Sequence, residues 1–334
     1  MTADAPPPAY VWHLPRGFPT PFVPPGNPMS DAKVALGKRL FFEPRLSVTG
    51  KYSCASCHDP ARSFTDGRPV AIGATGGALP RGAMALVNVA YNVSFGWTEP
   101  QLSSLELQML EPLLNRHPVE LGMAGRQSAV NRTLAADPAY ATAFGAVFPD
   151  EGPPVTFDHL VKAIAAFERT LISGNSPFDR YVFGGQHDAL SPEAKQGMAL
   201  FFSPRAGCSQ CHTGFNFSGN WRDSDGPTGE ASFANNGASR QPMRVPTLRN
   251  VALTAPYMHD GRFPTLEAVV DHYAQMAEKA RAAGADGAGI DPRLRTFDLT
   301  QPERAELVAF LKSLTDTSFV EANSRRLGPT KRAR

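Results

Sequence analysis

The sequence predicts a mainly α chain made of two related helical domains. Three observations carry this expectation. A segment closing on Leu-Phe-Phe occurs twice, at Leu40-Phe41-Phe42 and Leu200-Phe201-Phe202, 160 positions apart, and the same offset aligns Gly37 with Gly197. A Cys-x-x-Cys-His motif follows each copy, at Cys54–His58 and at Cys208–His212. The long segments between them carry apolar residues at helical spacing.

Taken in chain order, residues 1–29 are proline-rich and are expected to run extended over the surface. The first domain is placed at 30–175. It opens on "AKVALGKRLFFEP", an amphipathic helix ended by Pro44. Near its end, "FDHLVKAIAAFERTLIS" puts Leu160, Ile164, Phe167 and Leu171 on one helical face, which reads as core. The second domain is placed at 186–320. Its first helix has Ser191 as N-cap, Pro192 at the first helical position and Glu193 in the first turn. Phe215 to Met243 reads as a long polar loop, a length that usually carries function. "TQPERAELVAFLKSLTD" begins with a capping box from Thr300 to Glu303 and forms the last predicted helix. Residues 321–334 form a basic tail, and its "KRAR" reads as solvated charge.

The bulk numbers fit this plan and exclude other classes. The chain has 334 residues, 42% hydrophobic and 19% charged, enough for two domains with their own cores. A net charge of +2 gives no footprint for nucleic acid. No apolar run approaches the roughly 18 residues of a membrane span. No signal peptide opens the chain, and "MTADAPPPAY" reads as the start of a trimmed, exported protein with an initiating Met added.

Cys54, Cys57, Cys208 and Cys211 are all the cysteines present. Three chemistries compete for them. A shared zinc site would set its pairs about 12–20 residues apart, whereas here Cys57 and Cys208 are 151 apart. A pair of redox dithiols needs no histidine directly after both second cysteines. Covalent c-type haem does: two thioether bonds fix the porphyrin and aim the adjacent histidine at the iron. The sequence therefore predicts two cytochrome c-like domains, each with one covalent haem c, and His58 and His212 as the proximal ligands. Thioether attachment takes place outside the cytoplasm, so a periplasmic location is expected, and no cysteine is left for a disulfide.

Several longer stretches are more specific. "LFFEPRLS", "SCASCHDPARSFTDG", "AAFERTLISGNSPFDRY" and "VPTLRNVALTAPYMHDGRFPTLEAVVDHY" resemble the bacterial dihaem cytochrome c peroxidase and MauG superfamily, from about residue 12 to residue 318. The resemblance is nearest to its MauG-like, protein-modifying branch of the MbnH type. It implies that one haem binds peroxide and the other is closed by a second protein ligand. In the peroxidases that ligand is a Met in the helix after the "PYxHDG" segment, and in MauG it is a Tyr. The matching residue here is Tyr273; Met276, one turn on, is the alternative, with His272 and Met258 ranking lower. His259 reads as a hydrogen-bonding group of its turn. A phenolate favours high oxidation states of iron, whereas a thioether favours the ferrous state.

The resemblance also assigns the peroxide side of the first haem. The family's Gln, Pro and Glu fall on Gln108, Pro112 and Glu120, with two extra residues between Pro112 and Glu120. Heterolysis of peroxide needs a base that takes a proton and returns it to the leaving oxygen. Glu120 fills that role, ahead of His117. The segment from Thr65 to Gly96 contains no histidine to cap the first iron, so activity without prior reduction is expected. Trp97 matches the tryptophan between the haems, and the two oxidising equivalents of one peroxide are expected as a bis-Fe(IV) state. Thr254 and Pro256 match backbone ligands of a calcium ion, while the family's Asn ligand falls at Gly82. The surface tryptophan that MauG carries two residues before its second motif is Ala206 here, which leaves Trp221 and Trp12 as exit candidates.

Three functions follow as expectations. The first is use of hydrogen peroxide to oxidise an aromatic residue of a periplasmic partner protein, a tryptophan taken to kynurenine. The second is reduction of hydrogen peroxide with electrons from a small cytochrome or cupredoxin. The third is electron transfer without catalysis.

Overall fold

Two glycines set the frame. A Cβ on Gly37 would lie 1.8 Å from the Ala163 carbonyl oxygen, and one on Gly197 would lie 1.9 Å from the Glu306 carbonyl oxygen. Each glycine therefore lets two helices cross with their backbones in contact. The first pair is α1 (Asp31–Phe41) on α5 (Phe157–Glu168); the second is α7 (Pro192–Phe201) on α9 (Gln301–Ser313). The recurring Gly-x-x-Leu-Phe-Phe stretch is thus the sequence trace of a repeated helix crossing. This computed structural model describes residues 10–149, 152–235, 241–282, 291–294 and 297–325. The first nine residues of the predicted arm and the "KRAR" end of the predicted tail lie outside the described residues.

The remaining helices are α2 (Leu105–Leu114), α3 (Gln127–Ala135), α4 (Pro138–Val147), α6 (Pro177–Val182), α8 (Leu266–Ala282) and α10 (Thr317–Arg325). The fold is mainly α, as expected. Ser191 caps α7 by accepting from the Ala194 N–H, and Thr300 and Glu303 form the capping box of α9. Leu160, Ile164, Phe167 and Leu171 are all buried. The helix itself stops at Glu168, so Leu171 reaches the core from the chain beyond it.

One apolar core gathers α1, α2, α3, α4 and α5 around Leu40, Phe41, Phe64 and Phe144. A second gathers α7, α8 and α9 around Phe201, Phe217 and Phe310. The C-terminal α10 returns to the first core, where Phe319 meets Phe64 with ring centroids 6.0 Å apart. Between the cores, Ser173 is a shared anchor. Its N–H donates to Asn88 Oδ1 (2.7 Å) and its hydroxyl accepts from Asn250 Nδ2 (3.1 Å). Asp316 Oδ2 accepts from the Ser173 hydroxyl and from the N–H groups of Gly174 and Asn175. Asn88 and Asn250 both have positive φ, 55° and 58°, and both open an Asn-Val-Ala turn.

Two expectations about irregular chain are corrected. The proline-rich arm does not simply lie on the surface: Phe18 and Asn27 are buried. Asn27 donates to Glu106 and accepts from the Lys33 ammonium. The stretch from Phe215 to Met243 is not a plain loop. It folds into two antiparallel ribbons, β1 (Arg222–Asp223) with β2 (Gly226–Pro227), and β3 (Phe233–Ala234) with β4 (Met243–Arg244). Alternating patterns of two residues are too short to be read from sequence.

A buried acid ends α5. Glu168 is 6% exposed, its Oε2 has no hydrogen-bond partner among the described residues, and burial pushes its carboxyl up to about 8. The unfolded carboxyl releases its proton near 4.5. Between those two values the folded chain holds a proton that the unfolded chain has lost, so stability falls as pH rises through this window. Glu168→Gln should remove that slope and raise stability at pH 7 by on the order of 3 kcal/mol. Thermal midpoints between pH 4 and pH 9 would check it; parallel curves for both proteins would contradict it.

Candidate active site

Each Cys-x-x-Cys-His motif folds the same way. A short 3₁₀ turn begins at Cys54 and another at Cys208. The His58 N–H donates to the Cys54 carbonyl and the His212 N–H to the Cys208 carbonyl, both at 3.0 Å. Each imidazole then bonds through Nδ1 to a phenylalanine carbonyl: His58 to Phe64 and His212 to Phe217, both at 2.9 Å. Phe64 and Phe217 are buried and have φ of 61° and 52°. Left-handed backbone costs a non-glycine residue about 1–2 kcal/mol, and here it turns a carbonyl onto a ring nitrogen. A carbonyl can only accept, so Nδ1 carries the proton and Nε2 is the nitrogen left to bind a metal. Burial also holds both imidazoles below the usual histidine range, in the neutral form a metal requires.

The two motifs open into separate cavities. Cys57 and His58 line the first; Cys208, Cys211 and His212 line the second. One zinc ion therefore cannot serve both pairs. Burial pushes the Cys57 and Cys208 thiols up to about 12, which disfavours the thiolate that redox and metal chemistry would use.

A common wall divides the cavities: residues 82–85, Asn92, Trp97 and Arg244 line both. The Trp97 indole donates to the Gly82 carbonyl at 3.2 Å, and the Trp97 carbonyl accepts from the Arg244 N–H at 2.8 Å. Arg244 is 9% exposed, and its guanidinium donates to the Gly96 carbonyl and to Met84 Sδ. No carboxylate faces it among the described residues, and burial lowers it to about 10. A buried cation without a counter-charge needs an anion from whatever fills the cavities. Haem supplies carboxylate side chains, so the imidazoles, the cavities and this cation all fit that group.

The predicted peroxide-side residues meet His58 in the first cavity. Gln108 and Glu120 line it, together with Trp97 and Leu105. Pro112 does not line it and acts through its backbone: its carbonyl accepts the Leu121 N–H at 2.9 Å and pins the returning chain beside α2. Gly73 is required there too, since a Cβ would lie 2.0 Å from the Val119 carbonyl oxygen. Burial, and then Glu111, raise the Glu120 carboxyl above the usual range. His117 is exposed and lies outside the cavity.

In the second cavity, Tyr273 of α8 stands with His212. Met276 is buried at 2% exposure but does not line the cavity; Met258 does. His272 packs on Phe263 at 4.8 Å. Thr254 and Pro256 line this cavity as well. At Gly82 the carbonyl accepts the Trp97 indole and there is no side chain to add a donor, so a calcium ion held by Thr254 and Pro256 would take more of its oxygens from water. Trp221 packs over Gly214, where a Cβ would lie 2.5 Å from its ring, and edge-on against Phe215. Trp12 meets Tyr10 edge-on. The Phe64 and Phe217 carbonyls and Arg244 are the functional groups that pattern reading missed. The repeated Phe after each motif was the available signal for the first two.

A duplicated helix crossing, two oriented imidazoles in separate cavities and a shared indole wall together define a dihaem c-type protein. The chain belongs to the di-haem cytochrome c peroxidase family that includes MauG; the model of that family matches residues 31–187. It is 38% identical to the methylamine utilization protein MauG of Methylorubrum extorquens, over 87% of this chain and 80% of that protein. It is 34% identical to the cytochrome c551 peroxidase of Pseudomonas aeruginosa, over 71% of this chain and 70% of that protein. Among solved structures, a MauG-like protein associated with microbial copper homeostasis superposes with a TM-score of 0.85 at 35% identity, covering 93% of this chain and 97% of the other. Family membership implies two haems and an oxidoreductase that acts on peroxide. No described helix is long and apolar enough to cross a membrane.

Proposed function

We propose that this chain works in the periplasm, uses hydrogen peroxide to oxidise a tryptophan of a partner protein, and takes that residue to kynurenine. The observation that carries this reading is Tyr273 standing with His212 in the second cavity. A phenol oxygen there makes the second site a poor entry for electrons and a good store for oxidising equivalents. Haem c bound through Cys54, Cys57, Cys208 and Cys211 supplies the iron that reacts with peroxide and holds those equivalents.

The chain's own residues do the rest. His58 and His212 are held by the Phe64 and Phe217 carbonyls and keep their Nε2 atoms for metal. Gln108 orients peroxide through its amide. Glu120 takes a proton from one peroxide oxygen and returns it to the other, which leaves as water. Trp97 lies in the wall between the cavities and carries oxidising equivalents across. Trp221, packed over Gly214 two residues after His212, is the exit candidate that follows the second motif. Each peroxide takes two electrons and two protons and becomes two waters. Cleavage of the indole C2–C3 bond with two oxygens taken from two water molecules is a four-electron, four-proton oxidation; two peroxides become four waters, two of which are consumed, so the net products are N-formylkynurenine and two waters. Hydrolysis then releases formate and leaves kynurenine.

The peroxidase relatives motivate a second reading, reduction of peroxide with electrons from a small cytochrome or cupredoxin. One experiment separates the two. Peroxide is added to the resting haem-loaded protein, with a co-encoded partner in one arm and a reduced small cytochrome in the other. A long-lived state two electrons above resting, together with a kynurenine-sized mass change in the partner, is expected. Rapid turnover of the cytochrome with an unchanged partner would replace the first reading by the second.

A further inference from the structure

The two motif histidines are oriented alike but held by different means. The turn after the first motif closes on itself. The N–H groups of Arg62 and Phe64 both donate to the Asp59 carbonyl at 2.9 Å, and the Asp59 N–H donates to the Thr65 carbonyl at 3.0 Å. The turn after the second motif is one residue shorter. Among the described residues its internal backbone bond runs from the Phe217 N–H to the Gly214 carbonyl, at 3.2 Å. Yet Phe217 holds a φ of 52° and aims its carbonyl at His212 Nδ1. A non-glycine residue stays in that region only where its surroundings fix it.

The fixing comes from outside the turn, from residues 247–249, and it takes up successive carbonyls. Arg249 donates through Nε to the Phe215 carbonyl at 2.9 Å, and through Nη2 to the same oxygen. The Thr247 hydroxyl donates to the Asn216 carbonyl at 2.6 Å. Thr247 Oγ1 also accepts the Arg249 N–H at 3.1 Å, so the two side chains act as one unit. On its other edge the guanidinium donates from Nη1 to both Asp179 oxygens, at 2.8 and 2.9 Å. Asp179 in turn accepts from the Ser176 hydroxyl at the start of α6. The Phe18 and Phe217 rings cover the cation, with centroids 4.6 and 5.8 Å away, and Arg249 is 2% exposed. A planar fork holds a carboxylate on one edge and a carbonyl on the other; an ammonium group is a point charge and cannot reproduce both. A buried ion pair costs desolvation that an apolar core would not. Here it fixes a carbonyl two residues before the one that orients the metal ligand.

We propose that Arg249, together with Thr247, is the positioning residue of His212: it locks the turn at 215–217 so that the Phe217 carbonyl keeps its bond to Nδ1 and Nε2 keeps its aim. An imidazole that donates from Nδ1 is a more basic ligand, which favours the oxidised iron. The lock therefore lowers the potential of the second centre. This deepens the reading of that centre as the store of oxidising equivalents and rests on it for the lifetime given below.

The test measures both haem potentials, the resting electron paramagnetic resonance spectrum and the thermal midpoint of haem-loaded Arg249→Lys and Thr247→Val. Lysine keeps the charge beside Asp179 but cannot fork onto Phe215. Valine keeps the volume and the ion pair but frees the Asn216 carbonyl. In each, the potential of the second haem should rise and its low-spin signal should shift and broaden, by less in the valine variant. The potential and signal of the first haem should stay as in the wild type. The state two electrons above resting should decay about tenfold faster in Arg249→Lys, the low end of what partners of a metal-bound histidine contribute. A lower thermal midpoint with an unmoved second-haem potential and signal is the mark of packing alone and overturns the proposal, and so does equal movement of both haems. Thr247→Val decides alone if the lysine chain does not load haem. If the wild-type protein forms no long-lived oxidised state, the storage reading fails, while the potential and the low-spin signal still decide the role of Arg249.

Discussion

Glu120→Gln should slow the reaction of the haem-loaded protein with hydrogen peroxide by about 10²–10⁴-fold, the span that positioned general bases contribute. The amide keeps the side chain's size but cannot take the peroxide proton. The pH profile supplies a second readout. Glu120 works as a base only when ionised, and burial and Glu111 lift its carboxyl above the usual range. The wild-type rate should therefore fall as pH drops through that raised value, while the variant's residual rate should have no such limb. The spectrum of the second haem should not change, because Glu120 lines the first cavity alone. A variant that reacts within twofold of wild type would remove Glu120 from the chemistry.

The second large effect is expected from Tyr273→Met. Axial ligands set haem potentials over a range of roughly 0.8 V, and exchanging a phenol oxygen for a thioether should raise the second haem's potential by a few tenths of a volt within that range. The resting spectrum of that haem should change as well. The variant should accept electrons from a small reduced cytochrome more readily and should lose the long-lived oxidised state. Potentiometric titration and the decay of the peroxide-treated protein measure both. An unaltered potential would mean that Tyr273 lines the cavity without binding metal, and Met258, which also lines it, would become the residue to replace.

Much of this was legible in the sequence because the physics is local and repeated. Five-residue motifs with every cysteine in them specify an attachment chemistry, and their duplication specifies two centres. The N-caps at Ser191 and Thr300 were readable because a side chain bonds to a backbone N–H three residues away. Gly37 and Gly197 aligned in sequence, but their reason lies in Ala163 and Glu306, more than a hundred residues further along the chain. Arg244 could not be read at all: a lone arginine in a polar stretch looks solvated until its burial and missing counter-charge are seen. Phe18 and Asn27 were misjudged because proline-rich composition reports stiffness and says little about what the side chains touch.

The return of α10 to the first core has a consequence for how the molecule matures. Phe319 closes over Phe64, and it is the Phe64 carbonyl that orients His58. Asp316, just before that helix, clamps the turn at Ser173 that also holds Asn88. The first centre is thus completed by a segment that lies beyond the second motif in the chain. The earlier attachment motif stays open until the later one has been made, and a cut between the repeats would yield two unfinished halves rather than two working cytochromes.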